Sequence, residues 1–125
     1  MNPTVVKYEA VVTEIGPLVS EFTEAGVLVF FGDQAPEELR EFAILHDGKK
    51  LAADVVPGDL ICLDDDQFRV LAVGEVANQN LSALGHFIVK FNGESTPEMP
   101  GDICAESRPV PVIAVGARLK IIGSE

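Results

Sequence analysis

The chain has 125 residues, 47% of them apolar, which is enough for one well-buried core and too short for two ordinary domains, so a single domain spanning residues 1–125 is expected. Nine basic residues stand against 20 acidic ones, a net charge of −11. Such a surface repels phosphate backbones and anionic lipid headgroups, which argues against nucleic acid or a membrane surface as direct partners, and it steers basic protein partners inward.

From the N-terminus, Met1 to Lys7 offers neither the basic lead nor the small-residue cleavage site of a secretory signal, so a cytoplasmic, soluble chain is expected. Thr4 to Ile15 and Val27 to Gly32 read as strands, rich in the β-branched and aromatic residues that suit a pleated, half-buried surface. Asp33 to Ala43 reads as a short helix, with Pro36 near its start and Glu37 and Glu38 in the first turn, where free backbone donors favour negative charge. Leu60 to Leu63 and Phe68 to Val73 are further strands, and Asp64-Asp65-Asp66 between them reads as a solvated hairpin tip. That acidic run lacks the spaced oxygen ligands, central Gly and distal Glu of a calcium loop.

Val76 to Gly85 reads as a second short helix, with Ala77, Leu81 and Leu84 on one face and Gly85 able to close it in the left-handed conformation. His86 to Phe91, Ile103 to Ala105 and Val110 to Ile122 complete the strands, and Pro57-Gly58-Asp59, Asn92-Gly93 and Pro100-Gly101-Asp102 punctuate them. The predicted fold class is all-β, a mainly antiparallel barrel with two short helices, since closure removes exposed strand edges. Pro57-Gly58-Asp59-Leu60-Ile61-Cys62, ending in Ala72-Val73-Gly74, and Pro100-Gly101-Asp102-Ile103-Cys104, ending in Ala114-Val115-Gly116, echo each other, as two similar turn-strand-turn-strand units of one barrel related by pseudo-symmetry would. Cys62 and Cys104 are read as small buried residues in strands; they lack zinc spacing and are too few for a disulfide framework.

Only two histidines occur. His46 ends an apolar run, Phe42 to Leu45, and opens the polar turn Asp47-Gly48-Lys49, so its ring is expected at an element's end and within reach of solvent. An imidazole with an ordinary pKa of about 6.5 has a lone pair at neutral pH and can attack phosphorus without a separate base. The same context suits an ordinary surface residue. His86 could donate to phosphoryl oxygens or hold His46 in one tautomer, and it could equally cap the preceding helix. A metal site built from His46, His86 and a carboxylate lacks the helical pair that would support it. Gly48-Lys49 has neither the first Gly nor the following Ser or Thr of a phosphate loop, and no G-x-S-x-G elbow occurs.

Ile44-Leu45-His46-Asp47-Gly48, together with Val70-Leu71-Ala72-Val73-Gly74-Glu75-Val76-Ala77-Asn78-Gln79-Asn80-Leu81-Ser82-Ala83-Leu84-Gly85-His86, resembles the glucitol/sorbitol-specific IIA family of the bacterial phosphotransferase system. Ala35-Pro36-Glu37-Glu38-Leu39 and the Pro100-Gly101 turn fit the same pattern. The resemblance implies an all-β barrel without a cofactor. It also implies a relay in which the phosphocarrier protein HPr passes a phosphoryl group to His46, which delivers it to a cysteine of a IIB component, with the IIB/IIC permease completing the uptake of a sugar alcohol. His86 matches the family's L-G-H histidine, and its duty is inferred from chemistry alone. The competing expectation is a non-catalytic β-barrel binding or regulatory module with structural histidines.

Overall fold

The computed structural model describes residues 4–124; Met1, Asn2 and Pro3, part of the stretch read for a secretory signal, lie outside it, as does Glu125. Eight strands form a closed barrel: β1 (Thr4–Ile15), β2 (Val27–Gly32), β3 (Ile44–His46), β4 (Leu60–Leu63), β5 (Asp66–Val73), β6 (Phe87–Lys90), β7 (Asp102–Ala105) and β8 (Arg118–Ser124). Around the barrel they run β1-β3-β2-β6-β7-β5-β4-β8, and β8 pairs back onto β1. All pairs are antiparallel except β2–β3 and β6–β7. Parallel neighbours need a crossover, supplied by residues 33–43 in one case and 91–101 in the other.

The order has an internal two-fold: exchanging β1 with β5, β2 with β6, β3 with β7 and β8 with β4 reproduces it. Helix α1 (Val19–Glu24) follows β1 as α2 (Ala77–Leu84) follows β5, each after a glycine, Gly16 or Gly74, at which a Cβ would strike a backbone carbonyl. The two Pro-Gly-Asp turns lead into β4 and β7, which this two-fold does not exchange, so their likeness is a repeated local device. In each, the aspartate caps its own turn and pairs with a lysine. Asp59 Oδ2 accepts from the Val56 amide at 2.9 Å and from Lys7 at 2.7 Å; Asp102 Oδ2 accepts from the Met99 amide at 3.1 Å and pairs with Lys90 at 2.8 Å.

Alternation along the strands fills the barrel. Tyr8, Ala10 and Val12 of β1, Phe68 and Val70 of β5, and Leu119 and Ile121 of β8 point inward with Phe30, Ile44, Phe87 and Ile103. A second, smaller cluster of Val29, Phe31, Ala43 and Leu45 lies on the outer side of β2 and β3. Phe31 and Leu45 therefore face away from the lumen that Phe30 and Ile44 fill.

Two predicted elements change, and one helix is added. The stretch read as a helix from Asp33 to Ala43 is a 3₁₀ helix, Glu37–Phe42, and α1 is a third short helix in a stretch to which the sequence assigned no element. The strand predicted from Val110 to Ile122 is paired only from Arg118, because Pro109 and Pro111 have no N–H to give a ladder. In that unpaired stretch Val110 and Ile113 still pack on the core. Cys62 and Cys104 are buried in β4 and β7 as expected, and burial pushes both thiols up.

Candidate functional site

His46 is the last residue of β3, opposite Val12 of β1 and Gly32 of β2. Since Leu45 faces outward, the alternation turns His46 inward, where its ring meets Tyr8 edge-on at 5.7 Å between centroids. The expectation of a solvent-reachable ring is corrected here, for His46 is 0% exposed. Covering it are non-local neighbours, Tyr8 from β1 and Gly85 from the end of α2, which the polar residues after His46 could not disclose.

Both ring nitrogens are held by backbone. Nδ1 accepts from the Gly48 amide at 3.0 Å, so the proton sits on Nε2, which donates to the Gly85 carbonyl at 2.8 Å. Gly48 has to be glycine, because a Cβ there would run into the Tyr8 ring and hydroxyl. Gly85, at φ 64°, closes α2 in the left-handed conformation, and a Cβ on it would come within 2.9 Å of His46 Cε1. Asp47 fixes the turn from outside: its Oδ1 accepts from the Val11 amide at 2.8 Å and its own amide donates to the Val11 carbonyl at 3.1 Å.

Burial holds His46 below its usual range near 6.5, opposed by the Gly85 bond and by the charges of Asp47 and Asp33. The ring is therefore neutral at pH 7, the state in which an imidazole is a nucleophile. A cleft of about 440 Å³ lies next to it: the three residues that touch the ring, Tyr8, Gly48 and Gly85, line it with Asp33, Lys49 and Leu84, and they separate it from His46, which does not itself line it. A roomier groove of about 700 Å³ lies beside β4 and β8, lined by Cys62, Asp64, Arg118 and Lys120, and neither histidine lines it.

His86 lies elsewhere. Its Nδ1 is bonded to the Phe30 carbonyl at 3.0 Å, and its ring stacks on Phe31 at 4.5 Å, on the side of the sheet away from the lumen. The expected holding of His46's tautomer is carried instead by Gly48 and Gly85. The two histidines and a carboxylate do not converge, and among the described residues no group of three or more His, Cys, Asp or Glu could hold a metal ion. Tyr8 went unremarked in the sequence, although it is the chain's one tyrosine and stands on the inward-facing parity of a strongly alternating strand. No helix among the described residues is long and apolar enough to cross a membrane.

A sequence model of the family described as "PTS system glucitol/sorbitol-specific IIA component" matches residues 7–120. Glucitol/sorbitol-specific EIIA components of Shigella flexneri and of Escherichia coli K12 are each 34% identical to this chain over 114 residues, covering 90% of it and 92% of theirs. The crystal structure of a phosphotransferase-system IIA component from Enterococcus faecalis V583 shares the fold, with a TM-score of 0.78 at 23% identity over 93% of this chain and 98% of that one. The matched span takes in the whole His46 pocket, from Tyr8 to Gly85, and the chain belongs to the glucitol/sorbitol-specific IIA family of the phosphotransferase system.

Proposed function

We propose that this chain is a cytoplasmic phosphocarrier, in one domain, that accepts a phosphoryl group from phospho-HPr on His46. It then delivers the group to a cysteine of a IIB component for uptake of a glucitol- or sorbitol-type sugar alcohol through the IIB/IIC permease. The observation that carries this reading is the state of His46: neutral, in a single tautomer, and held by two backbone bonds next to a cleft. Phosphoryl transfer asks for little else from a protein than position and charge stabilisation.

In the transfer, the ring nitrogen that carries the lone pair forms the new N–P bond while the donor's P–N bond breaks and its electron pair returns to the donor imidazole. The ring's single proton stays on the opposite nitrogen. With the proton on Nε2, the attacking nitrogen is Nδ1, so the bond from the Gly48 amide must open for it to reach phosphorus. His86 supports this chemistry as a positioning residue: tied to Phe30 and stacked on Phe31, it fixes the chain directly after the carbonyl that holds His46.

The competing reading, a non-catalytic barrel module, draws on one observation, the complete burial of the His46 ring. The two part on incubation with phosphoenolpyruvate, enzyme I and HPr, followed by intact mass and peptide mapping under alkaline conditions that preserve phosphohistidine. A carrier gains one acid-labile phosphoryl group mapped to His46, and His46→Ala gains none. Absence of label with an active donor leaves the binding module standing; a label on His86 keeps the function and reverses the assignment.

A further inference from the structure

If His46 is the acceptor, a phosphoryl group bearing negative charge must enter a cleft whose walls are poorly suited to it. Asp33 lines the cleft, and the charge of Asp47 is felt by both His46 and Tyr8. Lys49 is the one cationic residue among those lining it, and it sits exposed on the turn. Tyr8 differs from both. Its ring is buried against His46 and its hydroxyl end packs over Gly48. That hydroxyl has no hydrogen-bond partner among the described residues, and none of the fully sequestered side-chain polar atoms there lacks one, so the hydroxyl reaches the cleft that Tyr8 lines.

We propose that the Tyr8 hydroxyl donates a hydrogen bond to an oxygen of the phosphoryl group as it moves onto His46, with the Gly48 amide as neighbouring donor. This rests on the phosphocarrier reading and adds a catalytic residue to it. Burial, and after it the Asp47 charge, push the phenol up to about 12, so it stays protonated throughout the physiological range and serves as a donor, not an acid. No proton leaves Tyr8 in the step; the N–P bond forms and the donor's P–N bond breaks as before, and the hydroxyl offsets charge spread over the phosphoryl oxygens. Its ring fixes where the hydroxyl sits, because the edge-on contact with His46 and the packing on Gly48 leave it little freedom.

The test is Tyr8→Phe, which keeps the ring and removes the donor. Single-turnover phosphorylation by phospho-HPr is expected to slow by about tenfold or more, to proceed at long times to one phosphoryl group per chain, and to leave the His46 ring titration, followed by NMR, where it is in the parent protein. Equal rates would overturn the proposal. So would a slower rate accompanied by a displaced His46 titration, since that assigns the loss to packing. A parent protein that takes no label at all would instead remove the phosphocarrier reading, so the two failures are separable.

Discussion

As the proposed acceptor, His46 combines two demands that pull against each other, a ring dry enough to stay neutral and a nitrogen able to meet phosphorus. Burial lowers its pKa, and the sign of the consequence follows from linkage. An unfolded chain's histidine takes up a proton near pH 6.5, while the folded ring resists doing so until a lower pH. The stability His46 confers is therefore fully present above about pH 6.5 and is lost as pH falls from there through the folded value. His46→Gln replaces a titrating ring by an amide of similar reach. Denaturant titrations of both proteins between pH 8 and pH 5.5 should show the parent losing stability relative to the variant on acidification, with His86 and the carboxylates cancelling in the difference. A constant difference would mean that the ring titrates alike in the two states. None of this burial was legible in Asp47-Gly48-Lys49, because what covers His46 comes from residue 8 and residue 85; the proposal of His46 as acceptor came through family resemblance, and its environment only from the fold.

At the scale of elements, α2 holds more than the Gly85 carbonyl. Asn78, in its first turn, lies against the long connection between β3 and β4, where its Oδ1 accepts from the Val55 amide at 2.7 Å and its Nδ2 donates to the Val55 carbonyl at 2.9 Å. Val55 itself is buried, so Asn78 satisfies a peptide that has no ladder to join. Asn78→Ala leaves both groups without that partner and should cost about 1–3 kcal/mol in equilibrium unfolding, with amide exchange at Val55 accelerated; a variant as stable as the parent would show that water replaces the side chain without loss. Strands with several alternating or β-branched residues, such as β1, β2 and β4, were legible to the residue, and α2 to within one residue at each end, where Val76 and Gly85 cap it. What escaped was short or contradicted by chemistry. β3 has three residues and α1 six, too few for a period to emerge. Val110 to Ala117 has strand composition without strand donors, since two prolines fall in or beside it.

For the whole molecule, closure of the barrel and the charge of −11 set how a partner meets the site. The crossover carrying Glu37 and Glu38 runs beside the cleft that Pro36, Asp33 and Gln34 help to line, so acidic groups lie at its margin. A phosphoryl donor with a basic face is drawn toward that margin, while the phosphoryl group it carries is repelled by the same charges until the local donors take it. Attraction acts at a distance and is screened by salt; the donors act at contact and are not. The two contributions therefore separate experimentally. Raising ionic strength from about 0.05 M to 0.5 M shrinks the screening length several-fold, and the second-order rate of phosphorylation by phospho-HPr should fall by about tenfold, whereas the first-order rate at saturating donor should barely move. Tyr8→Phe should show the reverse, a lowered saturating rate with an unchanged salt slope. A second-order rate indifferent to salt would mean that the acidic surface serves solubility alone and that docking rests on apolar contacts such as the exposed Leu84 at the cleft's rim.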